Sequence, residues 1–246
     1  MNKNLIIILL ISSLFISCSG KTGKYEKSRI RFFNATEREI EFKLSSNSAE
    51  TINFNTAAFS DSSYRPLQPS VYDLEIWSGS KILLKRKLAL AKDEKYTLVF
   101  YGRPRLSDTM NQARFSYKMH RVFEGEENNS KNGYLPGYKV FSDQVHLKKS
   151  YSRVRVLNAA SGFSPISIKL DENGNKKKLV SGLAYPKPMQ GKTIKGGNRP
   201  VELYLSSAPN PVLYKNYDFR SGRVYTIVVF HKDQKLDFKI LSTKGT

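Results

Sequence analysis

Cysteine and histidine are scarce in this 246-residue sequence. It contains one cysteine, Cys18, and three histidines, His120, His146 and His231. A single cysteine cannot form a disulfide within the chain, which excludes a small disulfide-stabilised fold. Each histidine stands alone, without a second histidine, cysteine or carboxylate at the short spacing of a zinc site, so we expect no metal centre.

Motifs of catalysis are missing as well. The chain has neither a Gly-x-Ser-x-Gly nucleophile elbow nor a glycine-rich phosphate loop, and no window of helical length has a 3.6-residue apolar period. Catalytic residues can come together from distant segments, so a hydrolase or transferase acting through one histidine stays an alternative. The main expectation is a non-enzymatic protein that needs no cofactor.

Acidic residues are few relative to basic ones. The sequence has 21 Asp and Glu against 41 Lys and Arg, and its formal net charge is +20. Such a balance favours polyanionic partners. Residues 151–246 carry 17 basic and 6 acidic side chains, whereas residues 19–150 carry 23 and 15. The C-terminal part is therefore the better place to expect an anion, although scattered lysines can also serve solubility alone.

The N-terminal segment is apolar but short. After Lys3, an apolar run extends from Leu5 to Ile16. About a dozen residues cannot form a permanent transmembrane helix, which needs about 20, and the pattern is typical of a cleaved signal peptide over residues 1–17. The four residues that end at Cys18, Phe-Ile-Ser-Cys, resemble the lipobox of bacterial lipoproteins.

Lipid attachment at Cys18 would make this an exported protein, anchored to the cell-envelope membrane through residues 18–27. If the organism has two membranes, the residue after the cysteine favours the outer membrane, because Ser19 stands where an inner-membrane retention signal has Asp. The protein would then face the periplasm or the cell surface. Nucleic acid is not an expected partner outside the cytoplasm.

The chain contains two copies of one pattern. Ser28–Ala35 (SRIRFFNA) recurs as Ser152–Ala159 (SRVRVLNA), and Lys95–Phe100 aligns with Val224–Val229. Apolar residues in both copies alternate with polar ones at the period of two that a half-buried strand requires. Gly, Pro, Asn and Ser separate the segments at short intervals. The sequence therefore predicts an all-β protein of two tandem immunoglobulin-like antiparallel β-sandwich domains.

The expected domains cover residues 28–123 and 138–243. A polar, turn-rich connector over residues 124–137 joins them, and alternation over Arg114–His120 predicts the last strand of the first domain. Tyr96 and Tyr225 occupy matched positions at the start of matched strands, which favours a tyrosine corner or a core aromatic in each domain over a ligand contact.

Two strand motifs carry a family resemblance. Residues 153–159 (RVRVLNA) and 224–229 (VYTIVV) resemble the two ends of the domain of unknown function 4397, a bacterial envelope repeat often found in tandem. The layout is also similar to that of the periplasmic alginate O-acetylation accessory family. The resemblance implies a scaffold that helps acetyl-transfer machinery act on exported polysaccharide, with proteins of an acetylation complex as partners. It implies no catalytic residue.

Basic residues are concentrated in one part of the second copy. A lysine run follows the predicted hairpin turn at Asp171–Gly174, and further basic residues lie in the Pro- and Gly-rich stretch beyond it. Loops at the ends of a sandwich often carry binding sites, although a solvated turn is the alternative. The candidate polyanion-binding residues are Lys176, Lys177, Lys178, Lys187, Lys192, Lys195 and Arg199. They support a second function, that of a surface adhesin or polyanion-binding lipoprotein, with an anionic polysaccharide as partner.

The predicted anchor can be tested directly. We expect the protein to incorporate radiolabelled palmitate in its host bacterium and Cys18→Ala to abolish labelling, because the thiol is the attachment point. Ser19→Ala is the matched control and should keep the label. Equal labelling of wild type and Cys18→Ala would contradict lipidation at this residue.

Overall fold

A computed structural model describes residues 27–46, 49–102, 136–172 and 174–245. The predicted signal peptide and Cys18 lie outside these residues. Every regular element in the described part is a β-strand. The first eight strands are β1 (Ser28–Asn34), β2 (Ile40–Ser46), β3 (Ala49–Thr56), β4 (Arg65–Leu67), β5 (Ser70–Ser78), β6 (Lys81–Leu90), β7 (Lys95–Tyr101) and β8 (Gly137–Ser142). The next eight are β9 (Tyr151–Asn158), β10 (Ile166–Glu172), β11 (Asn175–Leu183), β12 (Pro188–Lys195), β13 (Gly197–Leu205), β14 (Leu213–Phe219), β15 (Arg223–Lys232) and β16 (Lys235–Lys244).

The strands form four sheets of four strands each. The first domain has the orders β4-β1-β7-β8 and β3-β2-β5-β6, and the second has β12-β9-β15-β16 and β11-β10-β13-β14. The two domains thus share one strand order, and the predicted pair of β-sandwiches is confirmed. One neighbouring pair in each domain, β1 with β7 and β9 with β15, is parallel. The chain crosses to the opposite sheet between these strands, which allows parallel pairing.

Each domain has its own apolar core between its two sheets. In the first domain Phe32 packs on Phe42 and Phe54, with ring centroids 4.4 and 4.6 Å away. Val156 and Ile166, both fully buried, occupy the positions of Phe32 and Phe42 in the second domain. The repeat therefore preserves which positions face the core, while the side chains that fill it differ.

Matched tyrosines lie at the start of β7 and of β15 and hold the loop that precedes each strand. The Tyr96 hydroxyl accepts a hydrogen bond from the amide of Ala91 at 3.1 Å, and the Tyr225 hydroxyl accepts one from the amide of Arg220 at 2.6 Å. Each partner lies five residues upstream of its tyrosine, as in a tyrosine corner. These hydroxyls are therefore engaged in holding the loop before β7 and β15.

The boundary between the domains differs from the expected one. Residues 138–142 were assigned to the second domain, but they form β8, which pairs with β7 of the first. In this pair Ser142 lies opposite Tyr96, just as Ser242 of β16 lies opposite Tyr225. β8 thus fills in the first domain the place that β16 fills in the second. The strand predicted at 114–120, with His120, lies outside the described residues.

The two domains pack against each other through an apolar interface. We call β4-β1-β7-β8 and β12-β9-β15-β16 the inner sheets, because their outward faces meet. Phe33, Val99, Leu157 and Val228 are fully buried there, and the ring of Phe33 lies 5.9 Å from that of Phe230. Strands buried on both faces have nearly continuous apolar sequences. This explains why β7 and β15 are apolar on both faces rather than on one.

Two arginines make reciprocal contacts across this interface. Arg31 donates to Thr97 within its own domain at 2.8 Å and to the carbonyl of Ser242 in the other domain at 3.1 Å. Arg155 likewise donates to Thr226 at 2.8 Å and to the carbonyl of Ser142 at 2.6 Å. Both arginines are less than a tenth exposed. The second arginine of the Ser-Arg-x-Arg sequence shared by the two repeats therefore makes polar contacts between them.

Asp143 is the charged partner in this interface. Its carboxylate, 1% exposed, accepts hydrogen bonds from Arg155 and Thr97, and from the Tyr64 hydroxyl at 2.6 Å. Burial lowers the pKa of Arg155, although the charge of Asp143 opposes that shift. Burial and the Asp143 carboxylate raise the pKa of Tyr64 to about 12. We call Arg31, Tyr64, Thr97, Asp143 and Arg155 the interface polar cluster.

Removing the buried carboxylate should destabilise the whole molecule. We expect Asp143→Ala to lower the free energy of unfolding by about 3–5 kcal/mol, because Arg155 would remain buried without its counter-charge. Asp73→Ala removes one partner of an ion pair with Lys87 whose side chains are 56% and 74% exposed, and should cost about 0–1 kcal/mol. Urea unfolding measures both, and equal losses would contradict the assigned role of Asp143.

The raised pKa values of Tyr64 and Tyr101 predict a loss of stability at high pH. The pKa of Tyr64 is raised from its usual 10 to about 12, so its contribution is complete below pH 10 and disappears as the pH rises towards 12. Burial raises the pKa of Tyr101 to about 12 as well. We expect Tyr64→Phe to lessen, but not abolish, the fall in unfolding free energy across this window. Tyr214→Phe, at a half-exposed position, should leave the slope unchanged; a Tyr64→Phe slope equal to wild type would refute the assignment.

Candidate functional site

A basic groove lies along one edge of the second domain. In the described part of the chain, β11 is the end strand of the sheet β11-β10-β13-β14, which we call the outer sheet, and β12 is the end strand of the inner sheet. The groove runs between these two strands. Its volume is about 320 Å³. Lysines on end strands also discourage pairing with strands of other molecules, so exposed charge is expected here. Because the two end strands converge, their lysines line a concave surface.

The groove has an apolar floor and a charged rim. Leu170, Leu179 and Ile194 form the floor, and the first two are less than 4% exposed. Four exposed lysines form the rim: Lys177 and Lys178 from β11, and Lys192 and Lys195 from β12. The Nζ atom of Lys192 lies 3.5 Å from the carbonyl oxygen of Lys178, so one side chain spans from one rim to the other.

Irregular pairing at both edges positions these lysines. The register between β12 and β9 shifts between Met189 and Lys192, where Gly191 has a φ of +69°. This positive φ favours glycine, and a Cβ atom there would also displace the side chain of Arg153, whose Nε would lie 2.6 Å away. Such bulges re-aim the side chains that follow them. Here the shift sets which way Lys192 and its neighbours point.

Four of the seven predicted polyanion-binding residues meet in this groove, and three do not. Lys176 forms an ion pair with Glu202 at 2.7 Å on the outer sheet. Hydrogen bonding to Glu202 raises the pKa of Lys176, so its charge is engaged within the protein. Lys187 precedes β12 and lies about 25 Å along the strand direction from Lys195. Neither belongs to the surface that the rim lysines share.

Arg199 supports the site from beneath it. It is 7% exposed, and its Nη2 atom donates to the carbonyl of Lys195 at 2.7 Å. Assigning this guanidinium directly to an external anion was therefore wrong, because its side chain is buried against the turn that ends β12. Sequence reasoning also missed Tyr151, which lines the groove opposite Lys195 on β9.

The lining of the groove consists of basic, apolar and hydroxyl-bearing side chains. Among the described residues, no acidic side chain lines the groove, and the remaining polar groups belong to Tyr151 and Thr193. Four lysines around an apolar floor suit an elongated anion that also has apolar faces. Because the lysines are exposed, their attraction is screened by salt.

Two of the three histidines considered in the sequence lie among the described residues, and neither lines the groove. The ring of His231 lies 5.4 Å from that of Phe163, and His146 is in the segment between β8 and β9. Across the described ranges, no group of three His, Cys, Asp or Glu side chains could hold a metal ion. In those same ranges, no helix is long and apolar enough to cross a membrane.

Comparison with known proteins finds resemblance at the level of structure alone. No family model and no curated protein sequence matches the chain, so its kinship with the domain of unknown function 4397 stays a prediction. The tip fimbrial protein Mfa3 of Porphyromonas gingivalis, with a C-terminal truncation, is 10% identical over 89% of this chain and 99% of its own, with a TM-score of 0.27. A fimbrial assembly protein of Parabacteroides distasonis is 9% identical over 89% and 98%, with a TM-score of 0.21. TM-scores in this range carry no argument about function.

Proposed function

We propose that this protein is a non-catalytic adhesin of the cell envelope that binds an acidic polysaccharide through the groove between β11 and β12. The observation that carries this proposal is the convergence of Lys177, Lys178, Lys192 and Lys195 from two different sheets above one apolar floor. Lys177 and Lys178 lie on β11, and Lys192 and Lys195 lie on β12, which are end strands of two different sheets. Their common location is a property of the folded domain.

The floor of the groove favours a sugar polymer over other anions. A uronate residue has a carboxylate at its edge and apolar C–H groups on its ring faces. The carboxylates would meet the rim lysines, while ring faces would lie on Leu170, Leu179 and Ile194. A flat membrane surface could reach the lysines but not this floor, because the floor is recessed between the two sheets.

The predicted anchor and the domain interface suit an adhesin. Cys18 lies ten residues before Ser28, and a flexible linker of that length spans about 20 Å. The first domain would therefore stay close to the membrane. The apolar interface then holds the second domain, and its groove, at a fixed position relative to the first. The O-acetylation accessory role depends on the family resemblance, whereas polysaccharide binding depends on the groove.

The proposal predicts a charge-dependent affinity located at the groove. We expect the protein to bind polygalacturonate, measured by isothermal titration calorimetry at low ionic strength, with affinity falling steeply as salt is added. Lys178→Glu with Lys192→Glu should weaken binding at least tenfold, because both rims of the groove would then repel the polymer. Neutral dextran should not bind.

A matched variant controls for net charge. Lys232 and Lys235 lie opposite each other in the β15–β16 hairpin, at the end of β15 remote from Arg223. Changing both to Glu alters the net charge by the same amount and should reduce affinity less than threefold. Equal losses in the two variants, or no binding by wild type, would refute the proposed function.

A further inference from the structure

Basic residues cluster at the end of the second domain where β9 and β15 begin and β16 ends. They come from the loop before β9, the turn before β15 and the last residues of these two strands. The basal patch, as we call this cluster, comprises Lys148, Lys149, Arg220, Arg223 and Lys244. Arg223 is half-buried and the other four are exposed. Across residues 144–150, 218–223 and 242–245, all of which the structure describes, Asp218 is the only acidic side chain.

Backbone hydrogen bonds join the three segments of the basal patch into one surface. The amide of Tyr151 donates to the carbonyl of Lys148 at 3.2 Å, and the amide of Gly222 donates to the carbonyl of Tyr151 at 2.8 Å. The amide of Gly245 in turn donates to the carbonyl of Gly222 at 2.8 Å. The segments that carry the five basic side chains are therefore in direct contact.

The basal patch has a net positive charge. Arg220 pairs with Asp218 at 3.1 Å, but the two side chains are 72% and 55% exposed, so this pair is weak. Arg223 and Lys244 lie directly opposite each other in the register of β15 and β16. Like charges at directly opposed positions of a sheet destabilise it. An anionic surface over both side chains would relieve this repulsion.

Contacts across the domain interface show which end of the first domain lies beside the patch. Arg31 in β1 donates to the carbonyl of Ser242 in β16 at 3.1 Å. Two residues further along β1, the ring centroid of Phe33 lies 5.6 Å from Nζ of Lys239. A step forward along β1 is thus a step backward along β16, so the two strands run in opposite directions. Because β16 ends at the basal patch, β1 begins at the same end of the molecule.

The predicted lipid anchor joins the molecule at this end. Cys18 lies ten residues before Ser28, where β1 begins, and a flexible linker of that length spans about 20 Å. Ser28 is three residues before Arg31, which is about 10 Å along the strand. Lys244 is two residues beyond Ser242, the partner of Arg31 in the other domain. A lipid attached at Cys18 would therefore bring the basal patch within reach of the membrane surface.

We infer that the basal patch rests on anionic phospholipid headgroups of the membrane that holds the anchor. Clustered Lys and Arg side chains are attracted to an anionic bilayer surface, and the attraction falls off within a Debye length. The inference concerns a second partner, and it does not depend on the polysaccharide proposed for the groove. It also fixes an orientation. With the basal patch on the membrane, the opposite end of the second domain, with the β15–β16 hairpin, points away from it.

Vesicle binding by the mature chain without its lipid tests the patch. Residues 18–246 with Cys18→Ser contain every described strand, because β1 begins at Ser28. We expect this chain to sediment with vesicles of equal parts phosphatidylglycerol and phosphatidylcholine, and not with phosphatidylcholine alone. Lys148→Glu with Lys244→Glu should lower the partition coefficient at least fivefold, because two charges that face the headgroups are reversed.

Two matched variants separate the patch from the overall charge and from the groove. Lys232→Glu with Lys235→Glu lies at the opposite end of the domain, changes the net charge equally and should lower the partition coefficient less than twofold. The groove variant Lys178→Glu with Lys192→Glu should also keep most of its vesicle binding. Thermal unfolding of each variant should match that of the parent chain, since all six lysines are exposed.

Acetylation of lysines on bound vesicles reads the orientation. We expect a water-soluble reagent, followed by mass spectrometry, to find Lys149 protected by phosphatidylglycerol vesicles, and Lys232 and Lys235 as reactive as in solution. Protection of all three, equal losses in the patch and control variants, or no vesicle binding by the parent chain would each overturn the inference.

The alternative occupant of the patch is the soluble polymer itself. If Lys148→Glu with Lys244→Glu kept its vesicle binding and lost its affinity for polygalacturonate, the patch would bind polysaccharide and the inference would be wrong. Failure of polygalacturonate to bind the groove would refute the proposed function and leave the vesicle result unchanged. The two proposals are therefore judged separately.

Discussion

The buried carboxylate of Asp143 is the interaction on which the arrangement of the two domains depends. A charge removed from water is tolerated only when it is paired and fully hydrogen-bonded. Asp143 meets that condition by contacting Arg155 of the second domain and Tyr64 and Thr97 of the first. Separating the domains would break these contacts and expose the apolar faces of both inner sheets. The two sandwiches therefore behave as one body rather than as modules on a linker.

Strand β9 links the domain interface to the candidate site. β9 directs Arg155 and Leu157 to the interface and Val154 and Val156 to the core of the second domain. One edge of β9 pairs with β15 and the other with β12, the strand that carries Lys192 and Lys195. Packing on both faces leaves β9 little freedom to move, and the groove beside it is correspondingly fixed. A rigid groove loses less conformational entropy when it binds an extended polymer.

Sequence alone identified part of the candidate site. The excess of basic residues after position 151 pointed to the correct domain, and four of the seven candidate residues share one groove. Lys176 and Arg199 have partners within the protein: Glu202, 26 residues along the chain, pairs with Lys176, and the carbonyl of Lys195 accepts a hydrogen bond from the buried Arg199. The floor was not predictable, because Leu170, Leu179 and Ile194 come from three strands. The strand β8 could have been found, since Tyr138–Asp143 (YKVFSD) matches Phe238–Thr243 (FKILST) residue by residue.

The amino-acid sequence by itself determined that the chain folds into two copies of one β-sandwich. Period-two alternation, the repeated Ser-Arg and Asn-Ala motifs, and matched tyrosines all depend on neighbours within one strand or one turn, so they are visible in a linear string. Which sheets meet was decided by the tertiary structure. The apolar side chains of Val99 and Val228 indicate that both residues are buried, but they do not indicate which surface covers them. The interface depends on that choice, whereas the place of β8 depends on its pairing with β7, and the convergence of the lysines depends on how the two sheets of the second domain pack.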